Sequence, residues 1–219
     1  MKAKQQTPLA IDFSPLKIET LSLTLIGDTP LICHKWSEKA KKEMLDKQMK
    51  KAKGAKVAKD PKKDYIDSMY WLSEIPEDPT EKEIEEADFG FPAIAFKNAA
   101  VGACRNIDGM KMTIARGVFH IVADGNGLVE IDGSPNIRED MVRIGNGVAD
   151  IRFRGEFKDW NVSLTIKYNK NVLSEEQIVN LFNTAGFAVG IGEWRPEKDG
   201  QNGMFHVATG QELIDKELI

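Results

Sequence analysis

Val162-Ser-Leu-Thr-Ile-Lys-Tyr168, then Ser174-Glu-Glu-Gln-Ile-Val-Asn-Leu-Phe-Asn-Thr-Ala185, then Gly186-Phe-Ala-Val-Gly-Ile-Gly-Glu-Trp-Arg-Pro-Glu-Lys-Asp-Gly-Gln-Asn-Gly-Met-Phe-His206: three neighbouring stretches carry three different patterns. In the first, Val162, Leu164, Ile166 and Tyr168 alternate with Ser163, Thr165 and Lys167, the period of a strand with one buried face. In the second, Ser174-Glu-Glu-Gln177 is a capping box that opens a helix over Ile178 to Ala185, with Gly186 placed as its C-terminal stop. The third is a glycine-rich loop bearing Trp194, Arg195 and Lys198, and it runs into a short strand at Met204 to Val207. Glycine lets a backbone approach a ligand closely. Arginine and lysine supply phosphate-directed charge, and tryptophan offers a face for a base. The loop therefore reads as a nucleic-acid contact, although glycine-rich turns also arise for steric reasons alone.

Upstream, Leu21, Leu23 and Leu25 alternate with Ser22 and Thr24, which predicts a first strand ending at the Gly27-Asp28 turn. Trp36, Ala40, Met44, Leu45, Met49 and Ala52 then recur at helical spacing, with lysines on the other faces, Lys39 and Lys42 among them. This predicts a basic amphipathic helix over Trp36 to Lys53, followed by a mobile basic loop to Lys63, a short helix over Tyr65 to Leu72, and an acidic loop over Glu74 to Asp88. Phe89 to Phe96 leads into Lys97-Asn-Ala-Ala-Val-Gly-Ala-Cys-Arg105, whose small residues suit a closely packed helix. From Met110 to Tyr168 the signals are β, with Gly125-Asn-Gly127, Asp132-Gly133 and Gly145-Asn-Gly147 as turns.

This order matches a βαββαβ plan: an α+β, ferredoxin-like antiparallel sheet with helices on one face and a helical insertion after the first strand. Residues 17–30 plus 89–210 form the expected core, 31–88 a projecting charged subdomain, and 211–219 a C-terminal helix or tail. A chain of 219 residues with 42% hydrophobic content supports a genuine buried core. Its two cysteines, Cys33 and Cys104, fit neither a disulfide framework nor a zinc site. Free thiols in a reducing compartment are expected. No apolar segment follows the N-terminal lysines and no run is long enough to span a bilayer, so a soluble, cytoplasmic protein is expected.

The net charge of −4 conceals a strong asymmetry. Lys35 to Lys63 holds twelve lysines against four acids, a local balance of +8, and Asp64 to Asp88 holds ten acids against one lysine, a balance of −9. Such blocks suit a phosphate backbone on one side and a neighbouring subunit on the other, or equally two solvated faces of an inserted helical region.

The first strand, the approach Phe91-Pro-Ala-Ile-Ala-Phe96 into a small-residue helix ending near Arg105, the late helix, Gly190-Ile-Gly192 and the trailing Gly200-Gln-Asn-Gly203 together resemble the repeat-associated RNA-binding (RAMP) superfamily of CRISPR systems. The backbone subunit that polymerises along a guide RNA is most similar in layout. The resemblance implies an RNA-recognition-like sheet, a thumb-like insertion, glycine-loop contacts at Gly190, Gly192, Gly200 and Gly203, and basic contacts at Lys97 and Arg105. The inserted Trp-Arg-Pro-Glu-Lys departs from the family pattern and looks like the loop of small phage-encoded proteins. A viral version acting on single-stranded DNA or RNA, or one that binds or mimics a host complex, therefore stands beside a CRISPR component.

Arg152 and Arg154 share one face of a predicted strand and are expected on the open sheet surface, joined by Arg116, Lys167 and Arg195. The expected partner is single-stranded RNA or DNA, with assembly into a homo-oligomer or filament, no cofactor, no metal and no membrane. His34, His120 and His206 lack the spacing of a metal site or a helical pair, so no catalytic residue is assigned. A metal-independent endoribonuclease using one of them is the alternative. Gly190-Ile-Gly192 is no dinucleotide fingerprint, because position 195 is arginine and proline follows.

Overall fold

The computed structural model describes residues 15–51, 58–144 and 147–218. In chain order the elements are β1 (Ile18–Gly27), β2 (Leu31–Ile32), α1 (Glu38–Gln48), α2 (Pro61–Asp67), β3 (Tyr70–Trp71), α3 (Glu81–Glu85), β4 (Phe89–Pro92) and α4 (Ala93–Ala103). They continue with α5 (Met112–Val118), β5 (Phe119–Val122), β6 (Leu128–Ile131), β7 (Pro135–Ile144), β8 (Val148–Phe157), β9 (Asn161–Asn169), α6 (Glu175–Ala188), β10 (Phe205–Val207) and α7 (Gly210–Asp215). The protein is α+β, and among the described residues all strand pairs are antiparallel. The strands form a four-stranded sheet, β10-β1-β9-β5, and two three-stranded sheets, β2-β8-β7 and β3-β4-β6.

The alternation read from residues 162–168 is the alternation of burial. Val162, Leu164, Ile166 and Tyr168 are buried, while Ser163, Thr165 and Lys167 face solvent. β1 pairs with β9 so that Leu23 lies opposite Leu164 and Leu25 opposite Val162, which places the apolar set of both strands on one side. Helices α4 and α6 cover that side. Phe182 of α6 meets Phe119 of β5 at a ring separation of 6.0 Å, and Phe96 of α4 meets Phe205 of β10 at 6.1 Å. Each such ring removed from water stabilises by about 1.5–3 kcal/mol. Small residues Ala99, Ala100, Gly102 and Ala103 let α4 lie against its neighbours, and a Cβ at Gly102 would already be 3.5 Å from Val189.

Several local expectations differ. Helix α6 runs through Gly186 to Ala188, and the residue that turns the chain is Gly190, at φ 67°. The stretch expected as acidic loop contains α3, opened by a capping box between Thr80 and Glu83 that outweighs the prolines before it. Within the β-rich 110–168 lies one helix, α5, whose Ala115 and Val118 are buried. Helix α1 ends at Gln48, short of the expected Lys53. Of the basic loop expected over 53–63, residues 53–57 lie outside the described residues, as does the Gly145-Asn146 turn. Residues 61–63 already belong to α2, which Asp60 caps and Pro61 opens, so the short helix expected over Tyr65 to Leu72 starts earlier, ends at Asp67 and gives way to β3.

Residues 31–88 join the rest in two ways. β2 pairs with β8 (Leu31 opposite Phe157) and β3 with β4 (Trp71 opposite Phe89), and Leu31, Tyr65, Met69, Trp71 and Ile84 belong to the same buried cluster as the main sheet. α1 is the opposite case: it contains no buried residue.

Candidate nucleic-acid interface

The glycine loop leaves α6 and folds back on itself. Ile191 donates its N–H to Gly203, Glu193 to Ile32, Glu197 to Val189 and Asn202 to Trp194, so much of its backbone is committed internally. Arg195 is committed too. Its Nη1 donates to the Gly192 carbonyl at 3.0 Å, and Nε and Nη2 donate to Glu197 at 3.2 and 2.9 Å. Arg105, exposed just past α4, reaches the same carboxylate at 3.5 Å. Burial works to raise the Glu197 pKa, but Arg195, Lys198 and Arg105 together hold it below the ordinary carboxylate range. Trp194 is 42% exposed and has φ 55°, a left-handed conformation that a bulky residue adopts only under constraint. Of the residues expected there, Trp194 and Lys198 present free surface, whereas Gly190, Gly192 and Arg195 chiefly build the loop. Gly192 packs its backbone against β2.

The open face of the four-stranded sheet carries Thr20, Ser22, Ser163, Thr165, Lys167 and His120, with no aromatic among them. Lys97 of α4 reaches the β5 end of this face, where its Nζ donates to His120 Nδ1 at 3.1 Å and stands 5.9 Å from the centre of the Phe119 ring. Arg116 is exposed on α5 and is not part of the face.

Arg152 and Arg154 are not on that face. Both belong to β8, in the β2-β8-β7 sheet, and the expectation that they share an open surface fails for Arg154, which is 2% exposed. The cross-strand ladder explains this. Arg154 lies opposite Arg138, and Asp140 accepts from Arg154 Nη1 at 3.2 Å and from Arg138 Nε at 2.9 Å, while Glu156 accepts from Arg138 at 2.5 Å. Two arginines and two acids thus compensate one another, as charges withdrawn from water must. No spacing rule separates such a ladder from an exposed basic strand, because both alternate with period two.

Lys39 and Lys42 are exposed on α1. Lys41 pairs with Glu38 and Lys51 with Asp46, but among the described residues no carboxylate pairs with Lys39, Lys42, Lys47 or Lys50. Beside the start of α1 lies a cleft of about 310 Å³ that reading the sequence did not find, because its lining comes from residues 34–40, α2 and β8. The one legible signal was the Trp36 that precedes a lysine-rich helix.

The three histidines stand apart in role. His206 donates from Nδ1 to Asp28 at 2.6 Å and from Nε2 to Glu212 at 3.0 Å, so both ring nitrogens are occupied. Partial burial works to lower its pKa, and the two carboxylates outweigh it and raise it. Glu212 accepts from the backbone and hydroxyl of Thr209 and from His206, which brings it down to about 2. His34 donates from Nδ1 to Glu193 at 3.1 Å beside the cleft, and that bond, helped by Arg154 and Arg152, lowers the Glu193 pKa. Both cysteines are free and buried, and burial pushes the Cys33 thiol up to about 12. Among the described residues no cluster of three or more His, Cys, Asp or Glu could hold a metal, and no helix is long and apolar enough to cross a membrane.

The fold and this surface define an antiparallel α+β protein with a lysine-bearing helix that buries none of its residues. No protein-family model and no curated protein matches the chain. Among solved structures it is similar to Cmr6 from Pyrococcus furiosus, at 9% identity over 88% of this chain and 98% of that one, with a TM-score of 0.43. It is also similar to a chain of the Type III-B Cmr-beta structure bound to cognate target RNA, at 8% identity over 85% of this chain and 60% of that one, with a TM-score of 0.35.

Proposed function

We propose that this protein binds single-stranded nucleic acid, RNA or DNA, without cleaving it, and that copies assemble along the strand. The observation that carries the reading is α1. An eleven-residue helix with no buried residue contributes nothing to the core, and its Ser37 cap and lysine-rich faces are kept in water. Isolated helices of this length are marginal, so a bound partner gives it a reason to persist. Lysines without carboxylate partners favour a polyanion, and the nearby exposed Trp36 favours one that carries bases. The acidic stretch 74–88 offers the complementary surface for the α1 of a neighbouring copy. A strand order of β10-β1-β9-β5, with α4 and α6 in the crossings, is what a ferredoxin-like plan requires and supports that reading of the core.

The test is a gel shift with labelled single strands, together with the 260/280 nm absorbance ratio of purified protein before and after high salt. A salt-sensitive shift and a particle mass that grows with strand length are expected. A monomer with no shift at about 50 mM salt overturns the reading. One observation favours a second reading: the His34–Glu193 pair beside a cleft is the arrangement of an oriented acid-base group. RNA cleaved in the presence of chelator, and left intact by His34→Ala, would make the protein an endoribonuclease instead.

A further inference from the structure

The cleft beside the start of α1 holds a group that the fold leaves incompletely satisfied. Arg154 lines it, buried at 2% exposure, and donates one hydrogen bond, from Nη1 to Asp140. Its Nη2 stands 3.9 Å from Glu193 Oε2, beyond hydrogen-bond length, and its Nε has no partner among the described residues. A guanidinium presents five donors, and buried donors in native proteins are almost always matched by an acceptor. The same cleft is lined by Lys35, Lys59 and Arg152.

Four cations line the cleft against three acids, and Arg154 is further offset by Asp140 outside the lining, so the cleft is close to balanced in charge and what it leaves over is donors. Asp150 is shared by Lys59 at 2.9 Å and Arg152 at 3.5 Å, and Asp67 has Lys63 at 3.9 Å. Only Asp64 lines the cleft without a paired cation among the described residues. Trp36, 57% exposed, lines it too, so an apolar ring and the guanidinium groups share one cleft. A volume of about 310 Å³ is at the small end of ligand pockets, which run to roughly 1,000 Å³, and suits one unit of a chain rather than several.

We infer that this cleft seats one nucleotide of the bound strand, with its phosphodiester oxygens accepting from Arg152 and Arg154 and its base stacked on Trp36. The inference rests on the nucleic-acid reading above and gives it a place. A base beside a phosphate separates this ligand from a free anion: guanidinium groups alone would hold either, and the exposed indole adds affinity only for the nucleotide. Beside the cleft, Lys39 of α1 lines a second hollow together with Lys59 and Lys63, where a neighbouring phosphate can be received.

The experiment is fluorescence anisotropy of a labelled short oligouridylate titrated with the wild type, Trp36→Ala and Arg152→Gln, over a series of salt concentrations. Both side chains are at the surface of the cleft, and thermal melts of the variants separate binding from folding. Trp36→Ala is expected to weaken binding roughly 5- to 100-fold, the loss of one stacked base. Arg152→Gln is expected to flatten the log–log salt dependence by about 0.7, the loss of one phosphate contact to a single strand. Wild-type binding that both variants reproduce overturns the cleft and leaves the nucleic-acid reading standing. Inorganic phosphate that displaces the oligonucleotide at constant ionic strength, with Trp36→Ala binding like wild type, reduces the cleft to a phosphate site and also overturns the inference. No binding by the wild type removes both readings.

Discussion

Gly186 lies inside α6 where its Cα faces the Phe205 carbonyl of β10, and a Cβ there would run into that backbone. Alanine favours a helix interior by about 0.8–1 kcal/mol over glycine, so by propensity alone Gly186→Ala would stabilise α6. Overpacking against a carbonyl that cannot move without shifting the sheet costs about 1–3 kcal/mol. The second effect wins, and thermal unfolding of Gly186→Ala should show a lowered midpoint. A raised midpoint would mean that β10 yields. In the sequence this glycine looked like a helix stop, because a C-terminal glycine and a close-packing glycine are the same letter. Gly190, in the left-handed region four residues on, is the true terminator. Arg154 shows the same ambiguity with larger stakes, since an arginine in a strand reads as surface until its cross-strand neighbours are known.

Helix α7 is tied to the sheet through its capping box and through His206, which bridges Asp28 at the end of β1 and Glu212 in the first turn of α7. The His206 pKa is raised in the folded protein, so the stability it adds is complete below its ordinary 6.5 and is lost as pH rises through the raised value. The Glu212 pKa is lowered to about 2, so its share is complete above the ordinary 4.5 and is lost as pH falls towards 2. Both contributions are present together between about pH 4.5 and 6.5. Hydrogen-exchange protection factors for α7 should therefore be higher at the acid end of the neutral range than at mildly alkaline pH. His206→Gln should remove most of that difference, and a difference of unchanged size would exclude the bridge as its cause. Elements of this kind were partly legible. The capping box at Ser174 was read in the sequence and forms in the structure, whereas the one at Thr209 emerged only with α7, α5 was hidden in β-rich surroundings, and α3 behind prolines.

Across the whole molecule, the formal charge of −4 is a poor guide to what the surface attracts, because the charges are segregated along the chain and lysines of the basic stretch, Lys39 and Lys42 among them, stand exposed on α1. If α1 meets a strand of phosphates, the double change Lys39→Gln, Lys42→Gln should weaken oligonucleotide binding at low salt and flatten the log–log salt slope by about 1.4, two contacts at about 0.7 each. Measured over a salt series, an unchanged slope would take α1 out of the interface. The local pattern of apolar and polar residues was enough to establish β1 and β9 with the buried side of each, since a period of 2 states which face leaves water, and small residues and a capping box were enough to place α4 and α6. Pairing partners were beyond its reach. That β8 takes β2 as its second neighbour and lines a cleft with α2 and Trp36 depends on contacts between residues more than eighty positions apart, and even the β7–β8 hairpin buries Arg154 against Asp140 only through a cross-strand register that neither strand states by itself; the free energy of those contacts belongs to the assembled pair and to neither segment alone.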